Sequence, residues 1–283
     1  MPAVVPKREK GEQCAFQIPG VRGREREVRG CEVRERGTTG INPRTHEPTS
    51  HDPTNQLTVV KTPVVLSWSG GKDSALALHH LRESGEHEVV ALLTSVTREY
   101  DRVSIHGVRR ALLEAQAAAL GLPLIEIPLE PKSSDAAYQR AFLDALDEVA
   151  LHHPAVDQIA FGDLYLRDVR DYRDRLLAGT RYRGLYPLWE RPTRALAESF
   201  VAAGFEATLV CVDETQLDAR FAGRRFDRAL LADLPPSADP CGENGEFHTF
   251  VHGGPIFSQP IAVATGDVVR REERFTYCDL LPA

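Results

Sequence analysis

The sequence has 283 residues, of which 42% are hydrophobic, enough for one large domain or two modest ones. It contains no run of about 18 apolar residues, which excludes an apolar membrane-spanning helix. The net charge of −7 argues against a general nucleic-acid-binding surface. The five cysteines are scattered without a CxxC pair, so we expect reduced thiols in a cytoplasmic protein.

The first 58 residues differ in composition from the rest of the chain. They contain ten Lys and Arg and eight Asp and Glu, with few adjacent apolar residues. Acidic residues interspersed among the arginines contradict an organelle transit peptide, whereas an RNA-binding arm stays open. We therefore predict that residues 1–58 form a disordered tail that the folded part does not need.

Residues 63–74, with the sequence PVVLSWSGGKDS, are the most informative stretch. Residues 63–68 are typical of a buried parallel strand, and the residues after the glycines predict a helix that ends near Ser84. The first amides of such a helix have no partner within it and point into the glycine turn. A phosphate suits this place, because glycines let its oxygens reach the backbone and Lys72 adds a positive charge.

From residue 61 onward, the pattern alternates between strands and helices. Strands are predicted at 63–68, 87–95, 123–129 and 156–161, and helices up to about 84 and over 108–120 and 133–152. This alternation predicts an α/β fold with a parallel, doubly wound sheet that is covered by helices on both faces. Ligands of such sheets bind at the carboxyl ends of the strands, where the glycine turn also lies.

Two further segments are predicted at this edge of the sheet. Ser104 and His106 lie in the loop after the second strand, where a histidine is either a solvated side chain or a substrate contact. Gly162 and Asp163 follow the fourth strand, where the carboxylate could hold Mg²⁺ or a substrate amine. A simple turn that starts a helix is the alternative for this pair.

A charged helix is predicted after Asp163. Its charges recur at spacings of three and four residues, which is typical of a solvated helix face. Arg170 and Arg173 could instead face the substrate.

The C-terminal part begins after a fifth predicted strand at 184–189. Thr193 is predicted to cap a helix that ends at Gly204, and a strand follows at 205–212. The chain is expected to end in a hairpin of residues 256–264 and 268–277 around a turn at 265–267. We predict an ATP-binding domain at 59–189 and a smaller α/β domain, on the substrate and amine side, at 190–283.

Residues 239–251 are the second informative stretch. Glu243, Asn244 and Glu246 stand between glycines in a predicted loop, which suits recognition of an amine, of ammonia or of a metal. A tight polar turn is the alternative. Two unit charges 4 Å apart repel by roughly 4 kcal/mol at an effective dielectric of 20, so we expect these acids on the amine side rather than around a triphosphate.

These motifs together resemble a known family. Residues 69–74 resemble the SGG-x-DS loop of the PP-loop ATP pyrophosphatases, whose fold is the adenine-nucleotide α-hydrolase sheet. When the segments at 104–107, 162–163, 187–189 and 242–249 are added, residues 62–280 resemble the diphthine–ammonia ligase family. The sequence GENGEFHT at 242–249 is closer to the bacterial branch of this family than to the eukaryotic branch.

The resemblance implies a reaction and its partners. In that family, ATP converts the carboxylate of diphthine on elongation factor 2 into an acyl-adenylate, pyrophosphate leaves, and ammonia displaces AMP. Bacteria generally lack diphthamide. The resemblance therefore implies the type of reaction for this chain more strongly than it implies the acceptor. The implied ligands are ATP, Mg²⁺, an amine donor and a carboxylate acceptor, with no membrane partner.

The resemblance also assigns candidate site residues. The expected ATP-binding residues are Ser69, Gly70, Gly71, Lys72, Asp73 and Ser74. The expected catalytic residues are Lys72, Asp73, Glu243 and Glu246. On the substrate side we expect Ser104, His106, Gly162, Asp163, Arg170 and Asn244. The expected Mg²⁺ ligands are Asp73 and Asp163.

Two other function classes remain open. A tRNA-modifying PP-loop enzyme is disfavoured by the missing CxxC motif and by the charge of −9 that residues 59–283 carry. A nucleotide-binding module without turnover is compatible with the sequence, because binding and catalysis both need an intact phosphate loop.

Overall fold

The computed structural model of this chain describes residues 60–103 and 107–283. Lys61–Ala283 belong to one compact unit. The predicted tail, Ser104 and His106 lie outside the described residues. Within the described part, no helix is both long and apolar enough to cross a membrane.

The first half of this unit is a parallel sheet with intervening helices. Its strands are β1 (Thr62–Ser67), β2 (His87–Thr97), β3 (Arg102–Val103), β4 (Leu124–Leu129), β5 (Gln158–Ala160) and β6 (Arg183–Leu185). Its helices are α1 (Lys72–Ser84), α2 (Arg110–Leu120), α3 (Asp135–His152) and α4 (Arg167–Leu177). The parallel strands lie in the order β4-β2-β1-β5-β6, and the short β3 pairs antiparallel with the end of β2.

Both faces of the parallel sheet are buried, as predicted for a doubly wound sheet. Alternate side chains of a strand point to opposite faces. Val64 and Leu66 of β1 accordingly pack with the apolar residues of α1 and α2. Val65 packs on the other face, with apolar residues of α3 and α4.

The second half contains a smaller antiparallel sheet. Its elements are α5 (Thr193–Ala202), β7 (Glu206–Asp213), α6 (Arg228–Asp233), β8 (Phe247–Gly253), β9 (Val263–Arg271) and β10 (Phe275–Pro282). The strands lie in the order β8-β7-β10-β9. One hydrophobic cluster joins β1, α1 and α2 to β7 and β8, so the core is continuous between the two sheets. The domain boundary at 189 stays a prediction.

The terminal hairpin exists, but its predicted turn is wrong. The turn between β9 and β10 lies at Glu272 and Glu273, which have positive φ angles of 56° and 53°. The predicted turn at 265–267 is instead part of β9, where Thr265 pairs with Leu280. Gly266 lies against β10, since an added Cβ would be 3.2 Å from the carbonyl oxygen of Asp279. The glycine therefore serves close packing here, not a turn.

Two other local predictions are also wrong. The predicted strand at 184–189 ends at Leu185, because Pro187 has no N–H for a ladder and the Trp189 N–H bonds back to the Tyr186 carbonyl. Thr193 does not cap α5. Its hydroxyl donates a hydrogen bond of 2.7 Å to Asp239 and so connects α5 with the loop before β8.

Candidate active site

The phosphate-loop segment forms the predicted strand–turn–helix. Gly70 has a φ angle of +76°, a left-handed conformation that favours glycine. The Ser69 hydroxyl accepts a hydrogen bond from the Gly71 N–H, and the Ser74 hydroxyl donates one to the Gly71 carbonyl. Gly71 precedes α1 without a side-chain cap, so the positive end of the helix dipole lies at the loop.

Gly162 lets the end of β5 touch the start of α1. A Cβ added at Gly162 would lie 2.9 Å from the carbonyl carbon of Asp73 and 3.0 Å from the nitrogen of Ser74. Backbone therefore packs directly on backbone at this point. Gly162 shapes the phosphate loop, a more specific role than the substrate-side position expected from the sequence.

Strand β8 of the second sheet holds the loop from the other side. The Val251 N–H donates to the Gly70 carbonyl at 2.9 Å, and the Lys72 N–H donates to the Thr249 hydroxyl at 3.0 Å. Thr249 is 177 residues from Lys72 in the chain. The antiparallel sheet therefore helps to hold the loop that is predicted to bind phosphate.

Gln116 of α2 hydrogen-bonds to both sides of the junction between the phosphate loop and β8. Its side chain is fully buried and donates to the carbonyls of Gly70 and Val251 at 3.1 and 2.6 Å. Its amide oxygen accepts the Trp68 indole N–H at 2.9 Å. Sequence reasoning missed Gln116, although a lone polar residue on the apolar stripe of a helix is a detectable signal.

We expect Gln116→Leu to destabilise the protein and to weaken nucleotide binding together. The change leaves the buried Trp68 indole N–H without its partner, at a cost of about 1–3 kcal/mol, and removes one hydrogen bond each from the carbonyls of Gly70 and Val251. Among the described residues, the Gly70 carbonyl keeps only its bond from the Val251 N–H, so the loop is held less firmly. Urea unfolding and ATP calorimetry measure the two effects. Gln259→Leu, at an exposed position in the loop before β9, is the matched control and should change the free energy of unfolding by no more than about 0.5 kcal/mol. Unchanged ATP affinity in Gln116→Leu would show that the junction does not shape the loop.

A cavity of about 280 Å³ opens above the loop. Residues from both halves of the chain line it. The lining residues with polar or ionisable side chains include Ser69, Lys72, Asp73, Ser74, Asp163, Arg173, Cys241, Glu243, His248 and Thr249. The structure thus brings together the phosphate loop, the end of β5 and the loop before β8.

Lys72 is buried beside a single counter-ion. Its ammonium donates to both carboxylate oxygens of Asp73, at 2.9 and 2.7 Å, and lies 5.6 Å from the centroid of the Phe247 ring. Burial by itself would lower the pKa of Lys72, but the Asp73 carboxylate outweighs it and holds the pKa above its usual value. Lys72 therefore keeps its positive charge at the start of α1.

Glu243 lies in the same cavity. One carboxyl oxygen accepts the Leu164 N–H at 2.9 Å, which fixes the side chain beside the end of β5. Burial, and then the negative charge of Asp73, raise the pKa of Glu243 to about 8. At neutral pH the carboxyl is mostly protonated, so the repulsion that the sequence argument placed between Glu243 and a triphosphate is largely removed.

Glu246 does not have the position expected of a catalytic residue. It is 2% exposed, and its carboxylate accepts the backbone N–H groups of Asp239 and Asn244. The Asn244 side-chain amide donates to it as well, and the Asn244 oxygen accepts the Tyr165 hydroxyl. Glu246 therefore organises the loop from within, and Asn244 joins that loop to Tyr165. A catalytic role for Glu246 stays a prediction.

Asp163 forms a close ion pair with Arg173. The guanidinium donates two bonds to the carboxylate, at 2.5 and 3.2 Å, and both side chains are largely buried. Asp73 is likewise engaged, by Lys72. Among residues 60–103 and 107–283, no cluster of three His, Cys, Asp or Glu is placed to hold a metal ion. Asp73 and Asp163, the expected Mg²⁺ ligands, are thus each paired with a basic side chain and do not form a preformed metal site.

Arg170 lies outside the cavity. Its guanidinium lies against the rings of both Tyr186 and Trp189, and its side chain is 37% exposed. Arg170 is therefore neither fully exposed to solvent nor among the residues that line the cavity. Of the two arginines named from the sequence, only Arg173 lines the cavity.

The fold and this site, together with the family that the chain matches and the names of its relatives, are those of an ATP-dependent amide ligase of the PP-loop type. Residues 61–181 match the diphthamide synthase N-terminal domain, and residues 192–280 match the diphthamide synthase C-terminal domain. The chain belongs to the diphthamide synthase family, which confirms the resemblance found in its motifs.

Curated relatives carry the name diphthine–ammonia ligase. The relative from Danio rerio is 28% identical over 228 residues, which cover 73% of this chain and 89% of that protein. The human relative is 25% identical over 222 residues, with 71% and 82% covered. The Schizosaccharomyces pombe relative is 26% identical over 218 residues. The match covers 71% of this chain but only 36% of the yeast protein.

Proposed function

We propose that the protein activates a carboxylate with ATP and converts it into an amide with ammonia. The observation that carries this proposal is the shared cavity. It places the start of α1 and Lys72, which suit a leaving pyrophosphate, beside Glu243, a carboxyl group with a pKa near neutrality.

The first proposed step is adenylation. A carboxylate oxygen of the acceptor attacks the α-phosphorus of ATP, the bond to the β-phosphate oxygen breaks, and pyrophosphate leaves. The amides at the start of α1 and the Lys72 ammonium stabilise the charge that develops on the leaving group. Thr249 and Gln116 contribute by holding the loop in position before the reaction.

The second proposed step is amide formation. Ammonia attacks the acyl carbon, and AMP leaves with the electrons of the acyl–oxygen bond. The new nitrogen carries a positive charge until it loses a proton, which the ionised form of Glu243 accepts. A base with a pKa of about 8 suits this transfer, because the best general bases titrate near the working pH.

The acceptor is proposed from the relatives. They are named for diphthine, and we propose a diphthine-like carboxylate on a protein such as elongation factor 2. We also expect the triphosphate to enter with Mg²⁺, held chiefly by phosphate oxygens and water.

The products test the adenylation mechanism. With ATP, ammonium and elongation factor 2 that carries diphthine, phosphorus NMR should show AMP and pyrophosphate as the first products, together with a mass change on the factor. Unmodified factor serves as the control and should give neither. ADP and orthophosphate as primary products would contradict adenylation.

A further inference from the structure

Two adjoining aromatic rings contact the same cation at the surface beside the active site. The guanidinium carbon of Arg170 lies 4.6 Å from the centroid of the Tyr186 ring and 4.7 Å from that of the Trp189 ring. The two rings are 5.9 Å apart and inclined by 62°. Both distances are within the range of cation–π attraction.

Tyr186 is fixed from three sides. Its hydroxyl donates to Asp174 at 2.7 Å, and its ring stacks on Phe161 at 5.7 Å between centroids. Gly184 leaves room for it, since an added Cβ would lie 2.7 Å from the tyrosine ring. The tyrosine ring is therefore held by contacts other than that with the Arg170 guanidinium.

Arg170 itself is held loosely. Its only ion pair among the described residues is the contact of its Nε with Asp174, at 3.7 Å, and the side chain is 37% exposed. Arg173, one turn later on α4, contrasts with it through a buried, two-bonded pair with Asp163. A guanidinium has five hydrogen-bond donors, and this aromatic site uses few of them.

We propose that Tyr186, Trp189 and Asp174 form a binding site for a quaternary ammonium group, which Arg170 fills in the free protein. A quaternary ammonium has no hydrogen-bond donors, so two ring faces and a nearby carboxylate satisfy it better than they satisfy a guanidinium. The role of the site in the reaction rests on the proposed function. It makes the acceptor a carboxylate with a permanently cationic group, a feature that diphthine has.

The site is linked to the cavity by direct contacts. The Phe161 ring that stacks on Tyr186 also carries the Arg173 guanidinium, 4.5 Å from its centroid. Arg173 lines the cavity, and residues three apart on a helix are neighbours on its surface. A ligand held between Tyr186 and Trp189 therefore lies next to the wall of the active site.

The test uses tetramethylammonium chloride as the probe and the neutral compound 3,3-dimethylbutanol as its control. Binding is followed by tryptophan fluorescence, in which Trp189 is the responsive residue because Trp68 is 2% exposed. The variants are Arg170→Ala, Arg170→Gln and Trp189→Leu, each checked for folding by circular dichroism. No ATP or acceptor is present, so the result is independent of the ligase reaction.

We expect saturable binding of tetramethylammonium that is about tenfold tighter in Arg170→Ala than in the native protein, because the competing cation is gone. Arg170→Gln should behave in the same way. In Trp189→Leu, binding followed by NMR saturation transfer should be lost. Equal binding of the neutral control, or no gain in either folded Arg170 variant, would overturn the proposal. Absence of ligase activity would leave it standing.

Discussion

Lys72→Ala is expected to weaken ATP binding by about 10- to 150-fold and to reduce turnover at least as much. The ammonium is expected to meet phosphate oxygens in a cavity with little water, where a charged hydrogen bond contributes about 1.5–3 kcal/mol. Calorimetry with ATP and the rate of pyrophosphate release measure the two effects. Lys61→Ala, which removes an exposed lysine just before β1, is the matched control.

The fold should survive this change. Removal of Lys72 leaves Asp73 without its partner, but that side chain is 31% exposed toward the cavity and can be hydrated. A retained melting transition would therefore separate the loss of binding from unfolding. If the folded variant keeps its ATP affinity and its turnover, Lys72 is not part of the nucleotide site.

Glu243→Gln is expected to lower the rate of amide formation by about 10²–10⁴-fold while ATP binding persists. Glutamine keeps an oxygen that can accept the Leu164 N–H, so the loop should stay in position, but it cannot take a proton. An amidation assay beside ATP calorimetry measures the two effects. Glu198→Gln, an exposed position on α5, is the control. If ATP affinity falls as far as in Lys72→Ala, Glu243 belongs to the phosphate site instead.

The pH dependence of the rate follows from the same pKa. Because the ionised form of Glu243 accepts the proton, amide formation should rise with pH and reach half its maximum near the pKa of about 8. The concentration of uncharged ammonia must be kept constant, so that its own titration does not enter. A native profile that is flat through this range would contradict the role of Glu243 as a base.

The same group affects stability. The pKa of Glu243 is raised from its usual 4.5 to about 8 in the folded protein. The folded state therefore retains a proton that the unfolded chain has released, and the free energy of unfolding falls as the pH rises from about 4.5 to 8. Glu243→Gln should lack this pH dependence. The free energy of unfolding of the variant, measured in urea, should therefore rise relative to that of the native protein as the pH increases from about 4.5 to 8. A constant difference between the two would show that the pKa is not raised.

Local patterns in the sequence were sufficient for the parallel sheet and its phosphate loop. Strand β1 coincides closely with the predicted apolar run, and α1 begins directly after the predicted glycine turn, because such strands are buried on both faces and helix starts after glycines have local signals. The family motifs then indicated the reaction class. The same local rules placed the last turn wrongly. Gly266 allows close packing against β10, but sequence alone does not distinguish such a glycine from one in a turn.

Only the tertiary structure decided which residues form the site. Gln116, Thr249 and Glu243 reach the phosphate loop from segments that are 46 or more residues away along the chain, and no local pattern specifies such contacts. The two glutamates of one short loop show the same limit. Glu246 turns inward to hold backbone amides, whereas Glu243 faces the cavity, where burial raises its pKa. Sequence set the types of residue available, and packing between the two sheets set which of them line the cavity.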